Sequence, residues 1–340
     1  MTTSLAQPGT GRTPPPQVPD ALARASSLVV PALDAAVERL DPSLHEPVRH
    51  HLAGGGKHVR AGLALIAAAA VGGTEGEAVP GAVAVELVHN YSLLHDDIID
   101  GDRERRHRPT VWAQFGEGVA IVAGDALAAL AIQVLLGAPA PAPARMEAAR
   151  RLADANQAMI SGQSADMAFE TRDRVTVEEC LAMERDKTGA LLSAACAIGA
   201  VLGGADGATA EALGKYGEHL GIAFQAVDDL LGVWGDPSST GKPVGADLLA
   251  RKKTLPVALA LGLGGALADE LVSIFSRAPD QTEIERTTRL LERAGVRDAV
   301  AAIADEHLRQ GLGALDRVVL ADGPKEELSE VARYVTARDR

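Results

Sequence analysis

From about residue 20 the chain reads as a succession of apolar, helix-forming blocks separated by breakers. These breakers are GGG at 54–56, GGTEG at 72–76, APAPAPA at 138–144, GGADG at 203–207 and GDPSSTGKPVG at 235–245. Within a block the apolar positions keep helical spacing, as Leu220, Phe224 and Val227 do. Thr176 followed by Glu179 is a capping-box signal opening another block. Alternating runs rich in valine, isoleucine and threonine are scarce, so the pattern predicts an all-α domain from residue 20 to 340. Residues 1–19, rich in proline, glycine and threonine, read as a disordered tail, either plainly solvated or a docking segment for a partner. The stretch AIVAGDALAALAIQVLLGA at 120–138 approaches membrane-spanning length, but Asp125 and Gln133 interrupt it. A buried core helix is expected there, with no membrane span.

Composition supports this picture: 340 residues, 47% hydrophobic, are enough to bury a large core. The formal net charge of −13 disfavours nucleic acid and anionic membranes as partners, so an anionic ligand must be met by local cations or a metal. Two cysteines, Cys180 and Cys196, give neither a disulfide framework nor a zinc-ligand spacing, and a reducing cytoplasm is expected.

Candidate chemistry gathers where apolar blocks end. After VAVELVHNYSLL comes HDDIIDGDRERRHRPT at 95–110. On a helix Asp96 and Asp100 share a face one turn apart, with Asp97 beside them and His89 two turns earlier on nearly the same stripe. Like charges at that spacing destabilise a helix by a few tenths of a kcal/mol unless a cation intervenes. Oxygen ligands without cysteine suit Mg2+, which binds through one or two carboxylates and a substrate's phosphates. A solvated helix end with its own Asp–Arg pairs is the alternative. FQAVDDLLGVWGD at 224–236 repeats the device with Asp228 and Asp229. Cations accompany both: Lys57 and Arg60 behind a glycine turn, Arg105 and Arg106 after the first pair, and Lys242, Lys252 and Lys253 after the second. Such an order suits a diphosphate bridged to aspartates by metal and clamped by basic groups.

From about 35 to 335 the chain resembles the trans-isoprenyl diphosphate synthases, the polyprenyl synthetase family. The resemblance rests on GGKHVR at 55–60, HDDIID with RRHRPT at 95–110, GD at 124–125, GQSAD at 162–166, KTGAL at 187–191, FQAVDD at 224–229 and GKPVGADLLARKKTLP at 241–256. It implies a helical bundle around a deep cavity, homodimeric, condensing isopentenyl diphosphate with an allylic diphosphate. Asp96, Asp97 and Asp100, with Asp228 and Asp229, would hold three Mg2+ on the allylic diphosphate. Arg105, Lys187, Lys242 and Lys252 would grip that diphosphate, and Lys57, Arg60, His89 and Arg106 would form a metal-free site for isopentenyl diphosphate. Gln163 and Asp166 match a polar pair beside the metals, and Thr188 and Gln225 lie near the reacting carbons.

Two positions depart from the family pattern: Gly232 replaces a third aspartate, and Ala61 replaces a common proline. If the product grows down the helix of the first motif, Ser92 lies one turn below Asp96 and Tyr91 about 7.5 Å below it. That arrangement resembles the geranylgeranyl pattern more than the farnesyl one. A class I terpene cyclase, which ionises a single diphosphate, and a non-catalytic partner subunit are the rival readings.

Overall fold

A computed structural model describes residues 17–236, 244–277 and 280–337. The expected tail, for residues 1–16, and Lys242 lie outside the described residues. The chain is helical, as the spacing predicts. Ten helices lead to the second acidic motif: α1 Asp20–Val37, α2 Pro42–Leu52, α3 Val59–Ala70, α4 Glu75–Ile99, α5 Val111–Phe115, α6 Glu117–Leu136, α7 Ala142–Glu170, α8 Val177–Glu184, α9 Ala190–Leu202 and α10 Gly207–Trp234. Further helices follow, among them Ala246–Leu249, Leu255–Leu263, Val296–Leu315 and Asp322–Thr336.

Local chemistry sets the ends of the two motif-bearing helices. Thr74 caps α4 in a reciprocal box with Glu77, and acidic residues in its first turn suit the positive end of the helix dipole. Asp206 caps α10 by accepting from the Thr209 N–H at 2.8 Å. Thr176 and Glu179 form the box expected at the start of α8.

The centre is built from alanine- and glycine-rich helices that approach closely. α3 and α9 are buried on nearly every side, and α4 and α10 pack alongside them. A Cβ at Gly199 of α9 would sit 1.9 Å from the Ala64 carbonyl oxygen of α3, so only glycine permits this crossing. α4 also packs on α6, and α10 on Val296–Leu315.

α6 departs from expectation. It is long and apolar enough to cross a membrane, yet only 39% of its apolar window is buried. One face packs against α4, while Ile121, Val122 and Leu136 stay exposed. Such a half-covered apolar face marks a docking surface more than a core helix.

The only sheet among the described residues is the ribbon Glu104–Arg105 with Arg108–Pro109. Its two-residue turn places Arg106 and His107 at φ 52° and 60°, the left-handed pair that a type I′ hairpin requires. This turn brings Arg105 back onto Asp97 of α4 and Arg106 against the Gly54 carbonyl between α2 and α3.

Candidate active site

Two cavities meet at the end of α4. The first, about 410 Å³, runs beside α4 and is lined by Tyr91, Ser92, Asp96, Gln163, Lys187 and Thr188, with Met159, Ile160, Met167 and Leu191 supplying apolar walls. The second, about 570 Å³, lies against the start of α3 and is lined by Lys57, Arg60, His89, Asn90, Arg105 and Arg106, with Tyr334 and Phe224 opposite. Arg60, His89 and Leu93 border both, so the two spaces share a wall.

At the rim of the first cavity Asp96 is pushed up to about 6. Burial is the main cause and Asp100 adds to it, while Lys187 opposes it. The carboxylates are thus crowded in the absence of a cation. Lys187 donates to Asp166 Oδ2 at 2.6 Å. It stands in a π-helical turn, Arg185–Gly189, pressed against α7, where a Cβ on Gly162 would fall 2.4 Å from the Lys187 backbone nitrogen. Gly162 therefore sets how close Lys187 comes to Asp96 and Asp166. The Gln163 carbonyl oxygen is buried without a hydrogen-bond partner among the described residues. Burial opposes the charge on Lys252, but Asp100, Asp247, Asp166 and Asp102 together hold its pKa above the ordinary lysine value. Its ammonium therefore feels acidic groups from α4, from α7 and from the segment after α10. This all-oxygen set of crowded carboxylates and an unpaired carbonyl fits Mg2+ in donor type.

Two expected metal residues turn elsewhere. Asp97 is 1% exposed and accepts from Arg105 Nε at 2.7 Å, facing a small recess with His50, His51 and Asn90. Asp229 is buried, accepting from the Leu255 N–H at 2.8 Å and from Gln225 Nε2 at 3.0 Å. The reason is helical geometry: neighbours in sequence point about 100° apart, so Asp97 and Asp229 cannot share a face with Asp96 and Asp228. Arg105 also differs from expectation, because its bond to Asp97 keeps it on the wall of the second cavity beside Arg106.

Behind Asp229 lie Glu184 and Cys180, the ligand atoms of all three within 4.8 Å of one another. Burial pushes Asp229 up to about 7 and Glu184 well above the usual carboxyl range; Asp229 raises Glu184 further, while the hydrogen bond with Glu184 lowers Asp229. The trio reads as a proton-holding carboxyl pair rather than a cation site. Its outward consequence is a chain of contacts: Asp229 holds Gln225, and Thr188 Oγ1 donates to Gln225 Oε1 at 3.1 Å. Thr188 is thereby fixed on the wall of the first cavity.

The second cavity is cationic without being fully charged. Arg60 lies within the protein, with its tip toward the cavities, and donates from Nη1 to His89 Nε2 at 3.3 Å; its Nε has no partner among the described residues. Burial, then Arg60, drives His89 well below its ordinary value. His51, in the neighbouring recess that Asp97 faces, is lowered to about 4 by burial and by Arg105 and Arg106. Both imidazoles are neutral near pH 7, leaving Lys57, Arg60, Arg105 and Arg106 as the cations. Lys57 Nζ sits 4.9 Å from the Tyr334 ring centroid, a cation–π contact that holds it at the rim. Among the described residues Glu86 is the one acid lining this cavity, and it is engaged by the Ala61 N–H at 3.2 Å and by His58 Nδ1 at 3.3 Å.

Tyr91 and Ser92 line the first cavity as expected, and the Tyr91 hydroxyl donates to Asn156 of α7, which fixes the ring across the space. Sequence reasoning missed His51, Asn90, Tyr334, Asn156, Glu184 and Asp247. The paired histidines at 50–51 and the aspartate of GADLL were visible signals; the others depend on packing.

The family model for polyprenyl synthetases matches residues 41–291. The chain is 42% identical over 333 residues to a (2E,6E)-farnesyl diphosphate synthase of Mycobacterium tuberculosis, covering 93% of this chain and 92% of that one. It is 43% identical over 311 residues to a geranylgeranyl diphosphate synthase of the same organism, covering 88% and 89%. The crystal structure of a polyprenyl synthetase from Streptomyces coelicolor A3(2) superposes with a TM-score of 0.88 at 46% identity, over 94% of this chain and 99% of that one. Resembling them in sequence and architecture over nearly its whole length, the chain belongs to the polyprenyl synthetase family.

Proposed function

We propose that the protein is a Mg2+-dependent prenyltransferase that joins isopentenyl diphosphate to an allylic diphosphate, with geranylgeranyl diphosphate as its product. One observation carries this reading: two cavities share a wall at Arg60, His89 and Leu93, one with an apolar interior and Asp96 and the Asp166-bound Lys187 at its edge, the other lined by four cations. A terpene cyclase, which ionises a single diphosphate, has no use for the second.

The allylic diphosphate occupies the first cavity, with Lys187 and Lys252 against its charge; Lys242, which the resemblance adds to them, lies outside the described residues. Asp96, Asp100 and Asp228 are the side chains that would hold Mg2+, three ions in all, and the metal stabilises the departing diphosphate when bound. Lys57, Arg60, Arg105 and Arg106 hold isopentenyl diphosphate with His89 as a neutral neighbour. Across the shared wall the allylic carbon–oxygen bond breaks, the double bond of isopentenyl diphosphate adds to that carbon, and the proton then lost goes to the released diphosphate. Met159, Ile160, Met167 and Leu191 keep water from the cationic carbon. Thr188, held through Gln225, lies beside it. Tyr91, fixed by Asn156, closes the tunnel and sets product length, with Ser92 leaving room above it.

The exposed apolar face of α6 supports a homodimer. Two buried, free thiols with pKa values pushed up by burial support a reducing cytoplasm. The test is purified protein with isopentenyl diphosphate and each allylic primer in turn, with Mg2+ or with EDTA, followed by product sizing. Magnesium-dependent geranylgeranyl diphosphate is the expected product. Farnesyl diphosphate alone would correct the length, and no condensation with any primer would overturn the assignment.

A further inference from the structure

Away from the two cavities, the fold brings two imidazoles face to face. His219 stands on α10 and His307 on the helix Val296–Leu315. Their Nδ1 atoms are 3.0 Å apart, with ring centroids 5.2 Å apart and ring planes inclined by 38°. The two helices pack closely along this stretch. An ideal Cβ on Gly311 would lie 3.3 Å from His219 Cβ and 3.3 Å from the Tyr216 carbonyl oxygen, so the backbone of the second helix rests almost against α10. The separation of the rings is thus set by two packed helices.

Both rings are half-buried, and burial lowers the proton affinity of each; His219 lowers that of His307 further. Glu218 and Glu306 oppose this at both rings, while Lys215 and Arg317 add to it at His219. Each of those carboxylates is already held by a cation, Glu218 by Lys215 and Glu306 by Arg309. Near pH 7 both imidazoles are therefore neutral, and two arrangements are open to them. Either one Nδ1 carries a proton and donates it to the other, or both rings carry the proton on Nε2 and present two Nδ1 lone pairs together. The second arrangement is a bidentate nitrogen donor. A four-coordinate zinc ion, at about 2.0–2.1 Å from each nitrogen, holds them about 3.3 Å apart. The rings have to part by only about 0.3 Å to admit it.

We propose that His219 and His307 form a two-histidine site for Zn2+ or a similar late first-row divalent ion, with water completing the shell. The site goes beyond the prenyl-transfer reading and does not depend on it. Mg2+ does not compete there, because it takes oxygen ligands while imidazole suits zinc, copper and nickel. Both rings are half-exposed, so the ion enters without unfolding the helices. Once bound, it ties α10, which carries Asp228, to the helix Val296–Leu315. It stabilises the folded chain, because folding holds the two nitrogens side by side.

The test is calorimetric titration of Zn2+ into the whole protein near pH 7, with Mg2+ in excess to occupy the carboxylate site. His219→Gln and His307→Gln, substitutions that half-exposed positions tolerate, should each bind one equivalent fewer than wild type. The double variant should lose that same single equivalent, because one ion needs both rings. Zn2+ at 100 times its Kd should also raise the Tm of the wild type by about 5 °C more than that of either variant. Hydrogen-bonded rings with no ion between them would produce neither difference. A stoichiometry unchanged in either variant, a double variant that loses two equivalents, or a Tm shift equal in all the proteins would overturn the proposal.

Discussion

Arg60 stands in the wall between the two cavities, and Arg60→Leu separates what it does for binding from what it does for folding. In the free protein its side chain is partly buried between the two cavities, its pKa is lowered by burial with only Glu86 opposing, and its Nε has no partner among the described residues. Leucine removes that desolvated charge and keeps most of the volume, at the cost of the bond to His89. A hydrogen bond of this kind contributes about 1 kcal/mol, and removing a buried cation offsets a similar amount. Stability should therefore change by no more than about 1 kcal/mol in urea unfolding. Binding responds differently, because a charge-assisted bond to diphosphate contributes about 1.5–3 kcal/mol. At a factor of ten per 1.4 kcal/mol, the KM for isopentenyl diphosphate should rise about 10- to 150-fold. Hydrolysis of the allylic diphosphate without isopentenyl diphosphate should change little. A KM that does not move, or a loss of stability beyond about 3 kcal/mol, would show that Arg60 is a folding residue and refute the reasoning.

Tyr91→Ala opens the end of the first cavity and should shift products to longer chains by chromatography, whereas an unchanged distribution removes Tyr91 from the length-setting role. Gly162→Ala forces a methyl group against the Lys187 backbone. It should raise the KM for the allylic diphosphate while leaving that for isopentenyl diphosphate near its wild-type value. His51 has a folded pKa of about 4 against an ordinary value of 6.5, so between these limits the unfolded chain binds the proton and stability falls as pH falls. His51→Asn removes that loss, so from pH 7 to pH 5 the variant should gain about 1–2 kcal/mol relative to wild type. A constant difference across that range would contradict the assignment of His51 as a buried neutral imidazole.

Much of this architecture was legible in the chain because it follows from local rules. The breakers mark helix ends, Thr176 with Glu179 caps α8, and the i,i+4 spacing puts Asp96 and Asp100 on one face. The same rule, applied to adjacent residues, separates Asp97 from Asp96 and Asp229 from Asp228. What stayed hidden depends on contacts between distant segments. The π turn carrying Lys187 is shaped by the glycine of α7 packed against it, and Tyr91 is held by Asn156 across 65 residues. His219 and His307 are invisible as partners until the helix Val296–Leu315 packs on α10. The exposure of α6 was misread for a similar reason, since its composition is that of a core helix while its position leaves one face open.

The central claim is a pair of diphosphate sites, one needing metal and one not. Calorimetric titration of isopentenyl diphosphate into the protein in EDTA tests it most directly. One site per chain is expected, kept in Asp96→Ala and lost when Lys57, Arg60 and Arg106 are replaced together. Binding that requires Mg2+, or that survives removal of the three cations, would contradict the account.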